Sequence, residues 1–408
     1  MAEAKKHIVI RGTGVISPLG HDVVSVNEAY TSGKPAFTTI LHNGEPTPVA
    51  ALPLRAEEEL QQLVKSNPNY RQLDRSVLMA IYAARKAATA AGWFNENASA
   101  SNDLAVSDDL AVNIGSSRGA TGLFEQHYDS YQQSINGSIA PSASPTTTLG
   151  NLSSWVAQAV NAGGAHISHS MTCSTALIAI ANGVAWLKSG MAKRFLAGGT
   201  EAPLTPFTIA QMKAVGIYSK LADNPYPCQP YKGEQNTFVL GEGAAVFALE
   251  LISEEELTTG DVIVEAVGLG FEKIAGKTSI SADGLNFQKA MRHALSQLPE
   301  HDQTVDAIIT HTPGTKAGDK AELQAIKAVF GNSSQVITTN KALLGHTLGA
   351  SGALSMQYAS YLLSVDLPVF KHYSSHNSPP FKSDISRIIV NAAGFGGNAA
   401  SIILRLQK

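Results

Sequence analysis

The chain has little charge and little sulfur. Only 15% of its 408 residues are Asp, Glu, Lys or Arg, and 30 basic against 33 acidic side chains leave a formal net charge of −3. That balance lacks the basic excess of a polyanion-binding surface, so nucleic acid is not an expected partner. Two cysteines, Cys173 and Cys228, are too few for a disulfide framework and fit a reducing compartment. No run of roughly eighteen uninterrupted apolar residues occurs, so no membrane-spanning helix is expected. The start, Met1 to His7, leads straight into Ile8-Val-Ile10, too short for the apolar part of a secretory leader. The expectation is a cytoplasmic protein. Nucleotide signatures are missing too: there is no Gly-x-x-x-x-Gly-Lys-Ser/Thr, and no Gly-x-Gly-x-x-Gly between a strand and a helix. Close-spaced Cys/His pairs of the Cys-x-x-Cys type are also lacking, so no metal is expected.

What is present is an alternation of β-like and helical runs. Ile8-Val-Ile10 ending in Gly12-Thr-Gly14 reads as a strand entering a tight turn, and helical spacing covers Arg75 to Ala91. Leu110 to Ile114 and Arg194 to Gly199 read as strands, with a helix over Ser174 to Ser189 between them. After Glu250 the alternation restarts: Val262 to Gly268, Val305 to Thr310 and Gln335 to Thr338 read as strands. Helices are expected over Asn286 to Leu298, Asp319 to Phe330 and Gly349 to Leu363, with a closing strand pair, Arg387 to Asn391 and Ala400 to Arg405. Polar segments 95–109 and 132–148 read as surface loops. The pattern predicts an α/β protein with buried sheets. A repeat points to duplication: Gly241-Glu-Gly-Ala-Ala-Val-Phe-Ala-Leu249 parallels Gly396-Gly-Asn-Ala-Ala-Ser-Ile-Ile-Leu404, and Ile8 to Gly14 parallels Val262 to Gly268. Two halves, 1–250 and 251–408, are expected.

Three chemistry-bearing residues stand at strand ends. Cys173, in His169-Ser-Met-Thr-Cys-Ser-Thr-Ala176, sits where a helix begins, beside backbone N–H groups and the positive end of the helix dipole, which favours a nucleophilic thiolate. His311 and His346 each follow a buried-type strand and lie next to glycine turns that let a substrate approach the backbone. The competing readings are a small buried cysteine with structurally satisfied histidines and, against the lack of close-spaced Cys/His pairs, a metal site built from these three residues.

The motifs around them resemble the β-ketoacyl-[acyl carrier protein] synthases. The resemblance is carried by Thr172-Cys-Ser-Thr-Ala-Leu177, by His311 with Gly314-Thr315 and Gly318-Asp-Lys-Ala-Glu322, by Lys341 and His346, and by Gly394-Phe-Gly-Gly397. It runs from about residue 7 to the end and is closest to the Cys-His-His elongating enzymes. It implies a thiolase-like fold, with two duplicated α/β halves in a five-layer α-β-α-β-α arrangement, usually as a homodimer. It implies that Cys173 takes an acyl group from the phosphopantetheine arm of an acyl carrier protein and that no cofactor is bound. His311 and His346 would stabilise the enolate left by malonyl decarboxylation, with Lys341 supporting the field around His346. The N–H groups of Cys173 and Phe395 would form a second oxyanion hole, and the Phe395 ring a gate. Thr315 would contact pantetheine, and Asp319 and Glu322 would anchor Lys341 and its loop.

The family pattern is not followed everywhere. Thr312-Pro313 stands where Gly-Thr usually follows the first histidine, removing a hydroxyl that holds the pantetheine amide. Ser355 replaces a glutamate, and Gly397-Asn398-Ala399 stands for the usual Gly-Thr-Asn. Arg118 occupies a position where small or apolar residues are common, suggesting a role in substrate selection or dimer contact. These departures leave room for a second reading, a chain-length-factor-like subunit of a heterodimeric synthase. A coenzyme A-dependent thiolase is disfavoured because no cysteine accompanies Gly394 to Gly397.

Overall fold

Short apolar runs pair into one ten-stranded sheet. Its strands are β1 (Lys6–Ile16), β2 (Leu110–Gly115), β3 (His166–Ile167), β4 (Arg194–Glu201) and β5 (Gly243–Ser253), then β6 (Val262–Phe271), β7 (Ala307–Ile309), β8 (Val336–Thr338), β9 (Arg387–Gly394) and β10 (Asn398–Leu406). A separate hairpin pairs Thr38–His42 with Glu45–Val49. The structure is a computed structural model describing residues 5–95, 106–274, 276, 280–331, 335–365 and 385–408. Most of the polar segment 95–109 therefore lies outside the described residues.

The strand order is β8-β7-β9-β10-β6-β1-β5-β4-β2-β3. Read outward from the β6/β1 junction, both halves repeat one plan. Two antiparallel pairings come first (β1 with β5 and β5 with β4; β6 with β10 and β10 with β9). Two parallel pairings follow (β4 with β2 and β2 with β3; β9 with β7 and β7 with β8). The repeat seen in the sequence maps onto this plan, because β5 and β10 hold equivalent places, as do β1 and β6. Within the sheet the two half-sheets pair through one residue pair among the described residues, Val9 with Ile263.

Helices fill three layers around the two half-sheets. Helices α1 (Arg75–Ala90) and α2 (Asn151–Ala159) cover one outer face, where Met79 and Ile81 pack with Val112, Leu196 and Val246. The other helices that pack on the half-sheets here are α3 (Thr175–Ser189), α4 (Leu285–Leu295), α5 (Lys316–Phe330) and α6 (Ser351–Ser364). The outer face of the second half carries α4 and α5, with Phe287, Met291 and Ile326 against Ile308, Ile389 and Ile403. Between the half-sheets lie α3 and α6, whose Leu177, Ile180, Leu354 and Met356 share a core with Phe195 and Phe247 on one side and Val390 and Ile402 on the other. Adjacent strand residues such as Val246 and Phe247 face different cores, as the period of two requires. The result is the five-layer, thiolase-like arrangement expected from the motifs.

Two local expectations need correction. Gly12 and Gly14 do not make a turn; they lie inside β1, where a Cβ would stand 2.3 Å from the Ala87 carbonyl oxygen and 1.9 Å from that of Ala83. Gly268 and Gly270 repeat this in β6, with Cβ positions 1.9 Å from the Ala290 oxygen and 2.1 Å from that of Asn286. In each half the glycines bring a helix onto its strand. Segment 132–148 is not wholly loop either, since a short helix spans Ala143–Thr147 and its threonine hydroxyls donate back to carbonyls one turn earlier.

Gly14→Ala and Gly268→Ala should each destabilise the fold by about 1–3 kcal/mol through overpacking against backbone. Urea unfolding is expected to show a lower midpoint for both. Gly150→Ala, where the added Cβ meets nothing within 4 Å, should stay within about 0.5 kcal/mol of wild type.

Candidate active site

Between β3 and α3 the chain makes a strained turn. Thr172 has φ of 52°, a region that β-branched residues rarely enter. Its hydroxyl lies 2.8 Å from the Met171 oxygen and 3.2 Å from the Phe395 oxygen, with one proton to share between them. Gly394, the last residue of β9, fits beneath this turn: a Cβ there would stand 1.8 Å from Thr172 Oγ1 and 2.8 Å from the Cys173 nitrogen. The nucleophile turn of the first half thus rests on the β9–β10 turn of the second, one residue before the Ser174 cap of α3.

The expected resting thiolate does not fit this turn. The Ser174 N–H donates to the Met171 oxygen and the Thr175 N–H to the Thr172 oxygen, each at 3.3 Å, so these two groups are turned to the backbone rather than to sulfur. Burial pushes the Cys173 thiol up to about 12, with the Glu201 charge adding to burial and Lys341 and Arg118 opposing it. Burial thus opposes a resting thiolate at Cys173.

The histidines are held by backbone clamps. Glu322 of α5 accepts from the His311 and Thr312 N–H groups at 2.9 and 2.8 Å, and from Asn391 Nδ2 at 3.2 Å. His346 donates its backbone N–H to the Val239 oxygen at 2.7 Å. Its Nδ1 accepts from the Leu348 N–H at 3.0 Å, which leaves the proton on Nε2. The two Nε2 atoms lie 3.4 Å apart with ring planes at 87°. Burial lowers both histidines, His346 to about 3, and Lys341 adds to the effect in each. Both imidazoles are neutral at physiological pH.

Behind them Lys341, only 1% exposed, donates to the Thr310 oxygen at 3.4 Å and to Ser355 Oγ at 3.5 Å. Burial lowers its pKa, opposed first by Glu322, while burial raises that of Glu322. The expected anchoring of Lys341 by carboxylates needs correction: among the described residues neither Asp319 nor Glu322 hydrogen-bonds it. Asp319 Oδ1 instead accepts from the Gly314 and Thr315 N–H groups, both at 3.1 Å, and Oδ2 from the Tyr231 N–H at 3.0 Å. Burial still pushes the Asp319 carboxyl up to about 6. Thr315 caps α5, its Oγ1 accepting from the Gly318 N–H at 3.3 Å, and this cap starts the helix at Lys316 rather than at Asp319.

A cavity of about 340 Å³ brings Cys173, His311, His346, Thr315 and Phe395 together. Lys341, Asp319 and Glu322 stand outside its lining. So does Arg118, whose Nε donates to Thr208 Oγ1 at 3.2 Å. Two participants escape sequence reasoning. Phe238 lines the cavity with its ring centroid 5.1 Å from that of His346. Fully buried Glu201 accepts from Ser116 and Ser117 hydroxyls and from the Ser117, Arg118 and Gly349 N–H groups, tying the 116–118 loop to the segment after His346. Its one signal in the sequence is an acid ending the buried run Arg194 to Gly199.

Residues 5–255 match the family model for the Beta-ketoacyl synthase N-terminal domain, and residues 263–367 that for the C-terminal domain. The chain belongs to the beta-ketoacyl synthase family. Among relatives, the 3-oxoacyl-[acyl-carrier-protein] synthase 2 of Coxiella burnetii is 29% identical over 357 residues, spanning 86% of this chain and 84% of its own. A beta-ketoacyl synthase from Burkholderia phymatum superposes with a TM-score of 0.83 at 23% identity, covering 99% of this chain and 100% of that one. The ishigamide ketosynthase/chain length factor gives 0.80 at 21% identity, with 99% and 100% coverage. These two structures bear on the fold. No helix among the described residues is long and apolar enough to cross a membrane.

Iodoacetamide labelling of Cys173 should accelerate about tenfold per pH unit between pH 7 and 9 with no plateau, as thiolate reactivity from a raised pKa requires. Intact-mass time courses, with Cys173→Ala measuring the Cys228 background to be subtracted, would reveal a plateau near neutrality if the thiolate were the resting form. Gly394→Ala should push the Thr172 turn aside and lower the labelling rate at least tenfold, measured the same way.

Proposed function

We propose that the chain is a β-ketoacyl-[acyl carrier protein] synthase catalysing decarboxylative Claisen condensation. The observation that carries this reading is the pair of neutral imidazoles, Nε2 to Nε2 at 3.4 Å, in the cavity that also holds Cys173. One N–H donor, that of His346 Nε2, and a second neutral imidazole that can present another converge on one point, which suits an oxygen that gains negative charge.

In the first half-reaction the Cys173 sulfur attacks an acyl thioester carried on phosphopantetheine. The thiol loses its proton, the carrier thiol leaves, and an acyl-cysteine forms. In the second, malonyl carrier protein enters, its C–C bond breaks to release carbon dioxide, and the electron pair goes into a thioester enolate. The His346 Nε2–H donates to the enolate oxygen, and His311 joins it once its own proton sits on Nε2. The enolate carbon then attacks the acyl-cysteine, and the Cys173 sulfur departs and recovers a proton. The N–H groups of Cys173 and Phe395 are assigned to the oxyanion of both acyl transfers, with the Phe395 ring, 40% exposed, as the gate. Lys341 raises the positive potential behind the imidazoles and keeps them unprotonated.

The partner in this reading is an acyl carrier protein, no cofactor is bound, and the assembly is a dimer of identical or related chains. Both cysteines are free, which supports a cytoplasmic location. Retention of Cys173 beside both histidines favours an elongating subunit over a chain-length-factor-like one.

Incubation with an acyl carrier protein thioester is expected to add one acyl mass to the wild type and none to Cys173→Ala. Malonyl carrier protein should then release a ketoacyl product two carbons longer. His346→Ala should slow malonyl decarboxylation by about 10²–10³-fold, the loss typical of one oxyanion donor, while acyl loading of Cys173 persists. Absence of loading across short, long and unsaturated chains would point to a missing partner subunit.

A further inference from the structure

The two imidazoles of the site are not held alike. His346 has its ring fixed, because Nδ1 accepts from the Leu348 N–H at 3.0 Å. The ring Nδ1 of His311 is buried and, among the described residues, has no hydrogen-bond partner. Direction for that ring therefore comes from packing, with the Phe287 ring centroid 6.3 Å away, and from the backbone on either side. Glu322 grips the N–H groups of His311 and Thr312 from α5. The flanking hydroxyls are gripped by a residue of the first half, Tyr231, on the segment leading to β5. Its hydroxyl lies 2.6 Å from Thr310 Oγ1, which lies 2.7 Å from Thr312 Oγ1. Thr310 Oγ1 directs its own proton to the Thr338 oxygen at 3.3 Å, which lets it accept from both neighbours. This chain of hydroxyls spans His311.

Tyr231 is also held at its backbone. Its φ of 71° lies in the left-handed region, where a bulky side chain is uncommon. Its N–H donates to Asp319 Oδ2 at 3.0 Å, and Asp319 Oδ1 accepts from Gly314 and Thr315. One tyrosine thus reaches both ends of the loop that carries His311. Backbone strain of this kind persists only where the surroundings impose it, and it gathers at functional sites. We propose that Tyr231 is a positioning residue for His311: through Thr310 and Thr312, its hydroxyl sets the direction in which the imidazole presents Nε2 to the substrate oxygen. With Nδ1 unbonded, a small shift of the backbone turns that ring and opens the Nε2 to Nε2 separation of 3.4 Å. This inference rests on the decarboxylating reading of the site.

The test is Tyr231→Phe, which removes the hydroxyl alone and leaves Thr310 and Thr312 bonded to each other. Decarboxylation of malonyl carrier protein should lose about tenfold to a hundredfold in kcat, the scale on which a misplaced group acts, with KM unchanged. Acyl loading of Cys173, followed by intact mass, should hold, and so should the melting temperature. A second readout needs no turnover. In ¹⁵N-histidine spectra, the ring signals that vanish in His311→Ala identify that imidazole, and Tyr231→Phe should shift or broaden them. Unchanged decarboxylation, unchanged ring signals, or a loss shared equally by loading and decarboxylation overturns the inference. If Tyr231→Phe melts early, Thr312→Val, which cuts the hydroxyl chain beside His311 with little change of shape, takes its place under the same criteria. If wild type decarboxylates no malonyl thioester, the condensing reading fails. The ring signals alone then decide whether Tyr231 orients His311.

Discussion

Everything chemical in this chain depends on one steric contact, the seating of the Thr172 turn on Gly394. Cys173 comes from the first half, and the turn that carries Phe395 comes from the second. They reach working distance only because position 394 has no side chain. The positive φ at Thr172 is tolerated because α3 follows immediately and the shared hydroxyl ties the turn to the carbonyl of Phe395. Strain of this kind costs of order 1–3 kcal/mol, and it persists here because the two halves press on it from both sides.

Around that contact the protein buries an uncommon number of ionisable groups: Glu201, Asp319, Glu322, Lys341 and two histidines. The acids survive burial because backbone N–H groups point at them. Glu201, Asp319 and Glu322 each accept from two or more such donors. Lys341 has only long contacts to Thr310 and Ser355. Its charge therefore acts through space, holding down the pKa values of both imidazoles and opposing the rise of the thiol. With Ser355 in place of the family's usual glutamate, no carboxylate at that position competes for this field.

Much of this was legible beforehand. The strand and helix alternation, the repeat and the Cys, His and Lys positions all came from periodicity or motif, because those features depend on near neighbours in the chain. What the sequence concealed depends on distant ones. Gly12 and Gly14 look like a turn until α1 is seen lying on them, and Gly268 and Gly270 look the same until α4 is. Asp319 and Glu322 look like helpers of Lys341, yet their oxygens are taken by backbone donors at the mouth of α5. The thiolate expectation meets opposition for a related reason: a helix start favours an anion when its N–H groups are free, and two of those beside Cys173 are committed to the turn.

The joint between the two half-sheets has a further consequence. One residue pair, Val9 with Ile263, is the strand pairing that joins the half-sheets among the described residues, so much of their cohesion comes from α3 and α6 packed between them. Helix α3 is apolar nearly all round, with Leu177, Ile180, Val184 and Leu187 buried, and part of that surface is covered by residues synthesised after position 350, among them Leu354, Val390 and Ile402. During translation the first half must therefore emerge with a greasy helix uncovered for the time needed to make the remainder, roughly ten seconds or more at ribosomal speed. The duplicated architecture thus leaves apolar surface uncovered in the nascent chain that the finished protein buries, and transiently exposed surface of this kind is prone to aggregate.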